Sequence, residues 1–330
     1  MMFNINNGTG QFTVVNGSRV FQQPPRAEAR ANDDIIPADK VIAIMGLTGV
    51  GKSTFINIAA GSNTVVVGHA LNSSSKEVQA VEIDYQGQRV VLVDTPGFDD
   101  TDMSDTEVLN IIANWLKTTY RNKVKLTGII YMHRISDNRM AGTPMRNLKL
   151  FAKLCGTAAA EGVVMTTTMW DTVEAEAGRG REQELRNIYW KGILDYKARM
   201  ERFDSREGQT AAWNIIRQMC NRPPPAPLLI QEEMVTLRRE LCETTAGAEL
   251  YCELLKVVKK KRAVMERLSR KVAEDDDVDL RRALRDELHQ LDAEVKMLIN
   301  QVNSLKVPLS KRLRRMFCFG KVQTGPIPMS

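Results

Sequence analysis

The sequence predicts an α/β domain with a mostly parallel central sheet, followed by an α-helical extension. Five apolar residues at 41–45 run directly into a glycine-rich turn, which is typical of a strand covered on both faces, as in parallel sheets. Further strand-like runs at 90–93, 127–132 and 162–168 are separated by helix-like segments, as expected when strands alternate with helices. Beyond residue 227 the apolar residues recur every three or four positions, the spacing of helices.

Changes in composition divide the chain of 330 residues, which is long enough for one α/β domain and a smaller unit. The predicted segments are a polar, disordered arm (1–38), the α/β domain (39–220), a proline-rich linker (221–227), a helical extension (228–305) and a basic tail (306–330). The 46 basic and 40 acidic residues leave a weak positive charge. By itself this balance does not indicate a nucleic-acid partner, and we predict none that is specific.

The cysteines and the amino terminus bear on the cellular compartment. The five cysteines are scattered and include no C-x-x-C pair, so neither a disulfide framework nor a zinc site is supported. The amino terminus lacks the charged-then-apolar pattern of a signal peptide, and no run approaches the ~18 apolar residues that span a bilayer. We therefore expect a cytoplasmic protein with reduced thiols.

The arm carries one weak structural signal. Residues Phe12–Val15 alternate in polarity and are followed by Asn16-Gly17, a pattern that allows a weak hairpin. The polar composition of the arm favours disorder. A strand that pairs between chains is the alternative.

The segment 46–53 has the pattern G-x-x-x-x-G-K-S between a predicted strand and a predicted helix. Its glycines let successive backbone N–H groups point at a polyphosphate, and the helix that begins near Lys52 adds the positive end of its dipole. Lys52 can reach the β- and γ-phosphates, and the Ser53 hydroxyl can ligate Mg²⁺. The candidate nucleotide-binding residues here are Gly46, Thr48, Gly49, Val50, Gly51, Lys52, Ser53 and Thr54.

A second motif, Asp-Thr-Pro-Gly, follows the apolar run at 90–93. The Asp94 carboxylate at the tip of such a strand is where a nucleotide-bound Mg²⁺ is held. The backbone N–H of Gly97 can approach a γ-phosphate with no side chain in the way, so Lys52 and Gly97 are the candidate catalytic residues. Phe98 occupies the position where GTPases often carry a water-orienting glutamine. Hydrolysis should therefore be slow, or need a group from elsewhere.

The next two strand ends are also polar. After the run at 127–132, His133 could be a general base or a polar residue that contacts a neighbouring loop, and Arg134 and Asp137 could form a structural pair. The run at 162–168 leads to Asp171, whose carboxylate could accept hydrogen bonds from the N1–H and 2-amino group of guanine. Adenine lacks that donor pair.

The base-recognition motif departs from the usual signature, which has a lysine after the first residue. Here the segment Thr168–Asp171 has Met169 in that place, and Met169 or Trp170 could pack against the base instead. If Asp171 instead caps the following helix, it does not select guanine, and the sequence still allows an ATP-binding protein.

Residues 44–57, 94–98 and 168–171 resemble the septin-like and immunity-associated, Toc-like branch of the P-loop GTPases. Within it they resemble uncharacterised fungal G-domain proteins that carry Tyr-x-His-Arg-Ile-Ser-Asp, here residues 131–137. The resemblance covers about residues 39–220. It implies binding of GTP, GDP and Mg²⁺, with a switch-one hydroxyl on the metal for which Ser75 is the counterpart. It also implies nucleotide-dependent dimerisation through the G domain in place of a catalytic glutamine.

The extension has a repeated apolar spacing, first in Ile230, Met234, Leu237 and Leu241, and again from Leu284 to Leu305 after an acidic break. Sustained three-four spacing predicts a coiled coil or a helical hairpin, which offers a second route to self-association. The basic segment 256–271 lies between these two segments of apolar repeat, and it could pair the two arms of a hairpin by charge. Helices packed on the G domain are the alternative.

The tail contains the basic and aromatic run 311–319. It could make weak contact with an anionic membrane, with Cys318 as an acylation site, or remain solvated. Together these features predict a Mg²⁺-dependent GTP-binding protein, a slow GTPase that acts as a nucleotide-controlled switch or assembly protein. The alternatives are a nucleotide-binding scaffold with negligible turnover, whose coiled coil mediates protein interaction, and an ATP-binding variant.

Overall fold

A computed structural model of the chain describes residues 11–15, 18–22, 27–30, 35–62, 78–85, 87–100, 102–274 and 278–305. The predictions made for Ser75 and for the tail 306–330, including Cys318, lie outside these residues.

A seven-stranded sheet forms the centre of the protein, in the order β3-β5-β6-β4-β7-β8-β9. Its strands are β3 (Ala27–Arg30), β4 (Lys40–Gly46), β5 (Gln79–Tyr85), β6 (Gln88–Asp94), β7 (Leu126–Arg134), β8 (Val163–Thr168) and β9 (Arg199–Arg202). Strands β6, β4, β7, β8 and β9 run parallel, and β3 and β5 are antiparallel to their neighbours. The predicted α/β domain with a mostly parallel sheet is confirmed.

The helices of this domain are α1 (Lys52–Ala60), α2 (Asp105–Arg121), α3 (Thr143–Cys155), α4 (Ala175–Glu184), α5 (Lys191–Leu194) and α6 (Gln209–Cys220). Helix α2 shows why such segments fold where they do. The Ser104 hydroxyl accepts a hydrogen bond from the Glu107 backbone N–H, and the Glu107 carboxylate accepts one from the Ser104 N–H. This capping box satisfies two N–H groups that the first turn leaves unpaired. The apolar face of α2 is fully buried at Leu109, Ile112 and Leu116.

Three segments of the arm form strands, and two of them make the hairpin that the alternation at 12–15 allowed. Strands β1 (Gln11–Val15) and β2 (Ser18–Gln22) pair as an antiparallel hairpin, and β3 pairs with β5 at the edge of the main sheet. The prediction of disorder is therefore wrong for these three strands. The edge strand β5 offers unpaired backbone groups, which a polar segment can satisfy whatever its side chains are.

The extension begins on the surface of the α/β domain. Helix α7 (Leu229–Gln231) and the π-helical turn Glu232–Thr236 contact α2 and α3. Because Ile230 and Met234 are buried there, the prediction of a coiled-coil arm is wrong for this segment. The linker before it is also packed, since Pro225 lies against Gly162.

The rest of the extension is a helical hairpin of α8 (Thr245–Glu274) and α9 (Val278–Ser304). The two helices pack along each other, with Val258, Val295 and Val302 buried. An ion pair between Lys261, within the basic segment 256–271, and Glu294 joins α8 to α9. No helix within the described ranges has the length and apolar character to cross a membrane.

Candidate nucleotide-binding site

The predicted site residues meet where the parallel strands β4, β6 and β8 end at one edge of the sheet. Strand β4 leads into residues 46–52, which we call the phosphate turn, and β6 leads into residues 94–98. Strand β8 leads to Asp171. Ligands of open parallel sheets bind at this carboxyl edge, because the loops there converge.

The phosphate turn has a backbone shape that requires glycine at two points. Gly46 and Gly51 have φ angles of 148° and 95°, in the left-handed region that side chains disfavour. A Cβ atom on Gly46 would also stand 2.5 Å from the Met132 carbonyl oxygen. Helix α1 starts at the next residue, so its unpaired N–H groups face the turn.

The Lys52 ammonium lies inside the phosphate turn. Its Nζ atom donates hydrogen bonds to the carbonyl oxygens of Leu47, at 3.0 Å, and Gly46, at 3.4 Å. Burial lowers the pKa of Lys52 from its ordinary value, and the nearby carboxylates of Asp94 and Asp100 act in the opposite direction. A buried cation with only neutral carbonyl partners favours an incoming anion.

A hydroxyl and a carboxylate next to the phosphate turn are hydrogen-bonded to each other. The Ser53 hydroxyl donates a hydrogen bond of 2.6 Å to Asp94 Oδ2. The Thr95 hydroxyl donates to the Ile44 carbonyl at 2.7 Å, which ties the loop after β6 to strand β4. Mg²⁺ prefers oxygen ligands and binds through one or two protein groups together with phosphates and water. Ser53 and Asp94 therefore fit a nucleotide-bound Mg²⁺.

Gly97 lies directly against the phosphate turn. A Cβ atom on Gly97 would stand 2.5 Å from the Thr48 hydroxyl oxygen and 2.6 Å from the Thr48 backbone nitrogen, so only glycine fits. The Thr48 N–H donates to the Phe98 carbonyl at 3.1 Å. The Phe98 residue is only 4% exposed, and its ring has no polar atom with which to orient water.

The end of β8 is bonded to the phosphate turn. The Thr168 hydroxyl lies 2.9 Å from the Val50 carbonyl oxygen and 3.3 Å from the His133 carbonyl oxygen, within reach of a hydrogen bond to either. The Met169 Cε atom lies 3.9 Å from where a Cβ on Gly51 would stand. Met169 therefore extends over the turn from the position that the usual signature gives to lysine.

Asp171 lies in the short 3₁₀ turn Trp170–Thr172 and is exposed. Its carboxylate makes no hydrogen bond to any part of the chain that the structure describes. The N-cap residue of α4 is Glu174. Asp171 therefore does not cap α4, which was the condition for the ATP-binding alternative. Its carboxylate is exposed to solvent, as expected of a group that binds a ligand.

A cluster beside Asp171 was not predicted. The Arg202 guanidinium lies 4.3 Å from the centroid of the Trp170 ring and also bonds the Glu182 carboxylate. The Trp170 Nε1–H donates to the Thr167 hydroxyl at 3.0 Å. Strand β9 carries Arg202 without any apolar run, so periodicity could not find it. The available signal was the rule that polar residues collect where parallel strands end.

His133 and Arg134 line a cleft of about 270 Å³ next to the turn. Burial lowers the pKa of His133 to about 4, which leaves the imidazole neutral near pH 7. The Arg134 Nε atom lies 3.0 Å from Asp137 Oδ1, so the predicted pair is present. The Arg134 Nη1 atom also lies 3.7 Å from where a Cβ on Gly49 would stand, so the guanidinium reaches the phosphate turn.

Comparison with known proteins gives sequence matches to GTPases. Residues 41–146 match the family model described as 50S ribosome-binding GTPase. GTPase Der from Streptococcus agalactiae serotype III (strain NEM316) is 25% identical over 162 residues, 48% of this chain and 33% of that protein. GTPase Der from Streptococcus pyogenes serotype M1 is 26% identical over 161 residues, which are again 48% of this chain and 33% of that protein. The chain thus spans about a third of the length of these curated relatives.

Solved structures with a similar fold include Toc33 from Arabidopsis thaliana in complex with Mg²⁺ and GMPPNP. It is 15% identical, with a TM-score of 0.45, and the match covers 57% of this chain and 87% of Toc33. An Era variant from Aquifex aeolicus bound to GDP·AlF4⁻ is 16% identical, with a TM-score of 0.41, and the match covers 57% of this chain and 58% of the Era chain.

Proposed function

We propose that this protein, whose α/β domain is a P-loop GTPase domain, is a Mg²⁺-dependent GTP-binding switch that hydrolyses GTP slowly. The observation that carries the proposal is the convergence of Ser53, Asp94 and Asp171 on one edge of one sheet around the phosphate turn. This edge offers a cation for phosphates, two oxygen ligands for a metal and a carboxylate for a base.

Each part of the site has a separate task in this proposal. The phosphate turn and Lys52 bind the triphosphate of GTP, and Ser53 and Asp94 hold Mg²⁺, which neutralises charge that develops during phosphoryl transfer. The Gly97 N–H approaches the γ-phosphate. The Asp171 carboxylate accepts hydrogen bonds from guanine. Hydrolysis is slow because the buried Phe98 cannot orient water.

The helical hairpin offers a route for the switch to act on other elements. Leu250 and Glu253 of α8 line a small cleft together with Phe98, Asp105 and Arg146 of the GTPase domain. Arg146 also pairs with Asp105 at 3.7 Å. A nucleotide-dependent change at Gly97 would therefore reach α8 through Phe98 and the other residues that line this cleft.

The segment 131–137 and Phe98 support a place in the septin-like and immunity-associated branch, and with it self-association through the GTPase domain. The hairpin offers a second surface for self-association. We propose a cytoplasmic location, in which the scattered cysteines stay reduced, with weak membrane contact through the basic tail 306–330. Turnover per molecule that rises with protein concentration would support dimerisation, and a constant value would contradict it.

Replacing Asp171 by asparagine is the test of the proposed function. We expect the affinity for GDP and GTP to fall about 100-fold, because two charge-assisted hydrogen bonds are lost at roughly 1.5 kcal/mol each. Binding of fluorescent GDP, with unlabelled GTP and ATP as competitors and Mg²⁺ present, measures this. Glu174→Gln is the matched control, since Glu174 is an exposed carboxylate three residues away. Equal competition by ATP in the wild type, or an unchanged Asp171→Asn variant, would contradict the proposal.

Replacing Arg134 by alanine should lower the rate of GTP hydrolysis about 10-fold while GDP affinity changes little, because a guanidinium beside the turn stabilises charge that develops on the phosphates. Single-turnover hydrolysis measures this. Arg139→Ala is the control, because Arg139 lines the same cleft. If both variants hydrolyse GTP at the wild-type rate, Arg134 serves only its ion pair with Asp137.

A further inference from the structure

The proposed GTPase lacks an assigned group for the attacking water. GTPases place a polar side chain after the glycine of the second motif for this purpose. Here that residue is Phe98, which is buried and bridged to Leu47 of the phosphate turn. A hydrolytic site of this shape needs its polar group from another element.

Thr48 carries a hydroxyl at the required place. Its Oγ1 atom is buried and has no hydrogen-bond partner among the residues that the structure describes. The same atom lies 2.5 Å from the position of a Cβ atom on Gly97. The hydroxyl therefore lies between the phosphate turn and the loop 94–98, in which the Gly97 N–H approaches the γ-phosphate in the proposed function.

The position of this hydroxyl is fixed by the backbone. The Thr48 N–H is bonded to the Phe98 carbonyl at 3.1 Å, which holds the residue against the second loop. Threonine is also restricted at χ1, because it branches at Cβ. A buried hydroxyl without a partner is unfavourable in a folded protein and calls for an explanation. A bound ligand that supplies the missing partner is such an explanation.

We infer that the Thr48 hydroxyl positions the attacking water during GTP hydrolysis, the role that Phe98 cannot fill. The inference rests on the proposed function. The water oxygen forms a bond to the γ-phosphorus, and the bond between the γ-phosphorus and the β–γ bridging oxygen breaks. GDP leaves with that electron pair, and a proton of the water passes to the released phosphate. Thr48 accepts a hydrogen bond from the water and keeps its own proton.

Two substitutions of Thr48 test this in the full-length protein. Thr48→Val keeps the branched shape and removes the hydroxyl, whereas Thr48→Ser keeps the hydroxyl. We expect the valine variant at saturating GTP to hydrolyse it about 100-fold more slowly in single turnover, a much larger loss than any change in its GDP affinity, because misplacing a reactant costs about that much. The serine variant should recover most of the rate.

A second readout does not depend on turnover. Aluminium fluoride with GDP mimics the phosphoryl group in transfer together with its axial water. The affinity gain that aluminium fluoride confers on fluorescent GDP should be present in the wild type and the serine variant and lost in the valine variant. A merely structural role for Thr48 would lower GDP binding to the same extent as turnover.

The outcomes are distinguishable. A valine variant with the wild-type rate and the wild-type aluminium fluoride effect would overturn the inference alone. So would a valine variant that loses GDP binding to the same extent as turnover, or a serine variant as slow as the valine variant. A wild-type protein that binds no guanine nucleotide would overturn the proposed function, and the inference with it.

Discussion

Replacing Lys52 by methionine is expected to weaken binding of GDP and GTP by about 100-fold or more, since a cation that pairs with a buried anion contributes about 3 kcal/mol. The nucleotide-free protein should melt at the same temperature as the wild type or higher. The ammonium is buried, and its two partners are the neutral carbonyls of Gly46 and Leu47. Burial lowers its pKa, so the free protein gains little from this charge, whereas the complex depends on it.

Titration with fluorescent GDP and thermal unfolding of the free protein measure the two effects separately. Lys125→Met is the matched control, because Lys125 is exposed and immediately precedes β7, at the opposite end of the sheet. It should change neither quantity. A Lys52→Met variant that binds GDP within about threefold of the wild type, less than 1 kcal/mol, would show that phosphates are not bound in this turn.

The parts of the fold that could be predicted depend on local signals. Strand β4 and the phosphate turn were recognisable because a fully apolar run, three glycines and a lysine follow each other within twelve residues. The start of α2 also depends on a local signal, because Ser104 and Glu107 form a contiguous capping box. In these cases the residues that make the structure are neighbours in the chain.

Other parts depend on contacts between distant segments. The Thr168 hydroxyl lies near Val50, 118 residues away, and no pattern in either segment shows that they meet. The three-four spacing of Ile230 and Met234 predicts a helical face equally well whether a second helix or the GTPase domain covers it. Here the GTPase domain covers it. Strand β9 has too little apolar character to be recognised, although Arg202 within it contacts Trp170.

The contacts of Glu233 show a further limit. This carboxylate is 2% exposed, and its position in the sequence gives no sign that it is buried. It accepts hydrogen bonds from the Thr245 backbone N–H and hydroxyl, both at 2.8 Å, and from Arg239 Nη1 at 2.7 Å. Thr245 is the first residue of α8, so Glu233 binds the amino terminus of the hairpin to the π-helical turn that packs on the α/β domain.

Replacing Glu233 by alanine should destabilise the protein by about 3 kcal/mol, because it leaves an arginine and a helix N-terminus without their buried partner. The melting temperature should fall by about 6–12 °C. Glu233→Gln should lower the stability by a smaller amount. The amide keeps an acceptor oxygen, but it loses the negative charge that interacts favourably with the dipole of α8. Thermal unfolding and hydrogen exchange of the α8 amides measure these effects.

Glu232→Ala is the matched control, since the neighbouring carboxylate takes no part in these hydrogen bonds, and it should melt within about 2 °C of the wild type. GDP affinity should be unchanged in Glu233→Ala, because the hydrogen-bond partners of Glu233, Arg239 and Thr245, lie outside the phosphate turn. A Glu233→Ala protein as stable as the wild type would mean that apolar contacts such as Leu250 and Leu254 hold α8 alone. Faster exchange confined to α8, with nucleotide binding intact, would instead show that Glu233 anchors the amino terminus of α8.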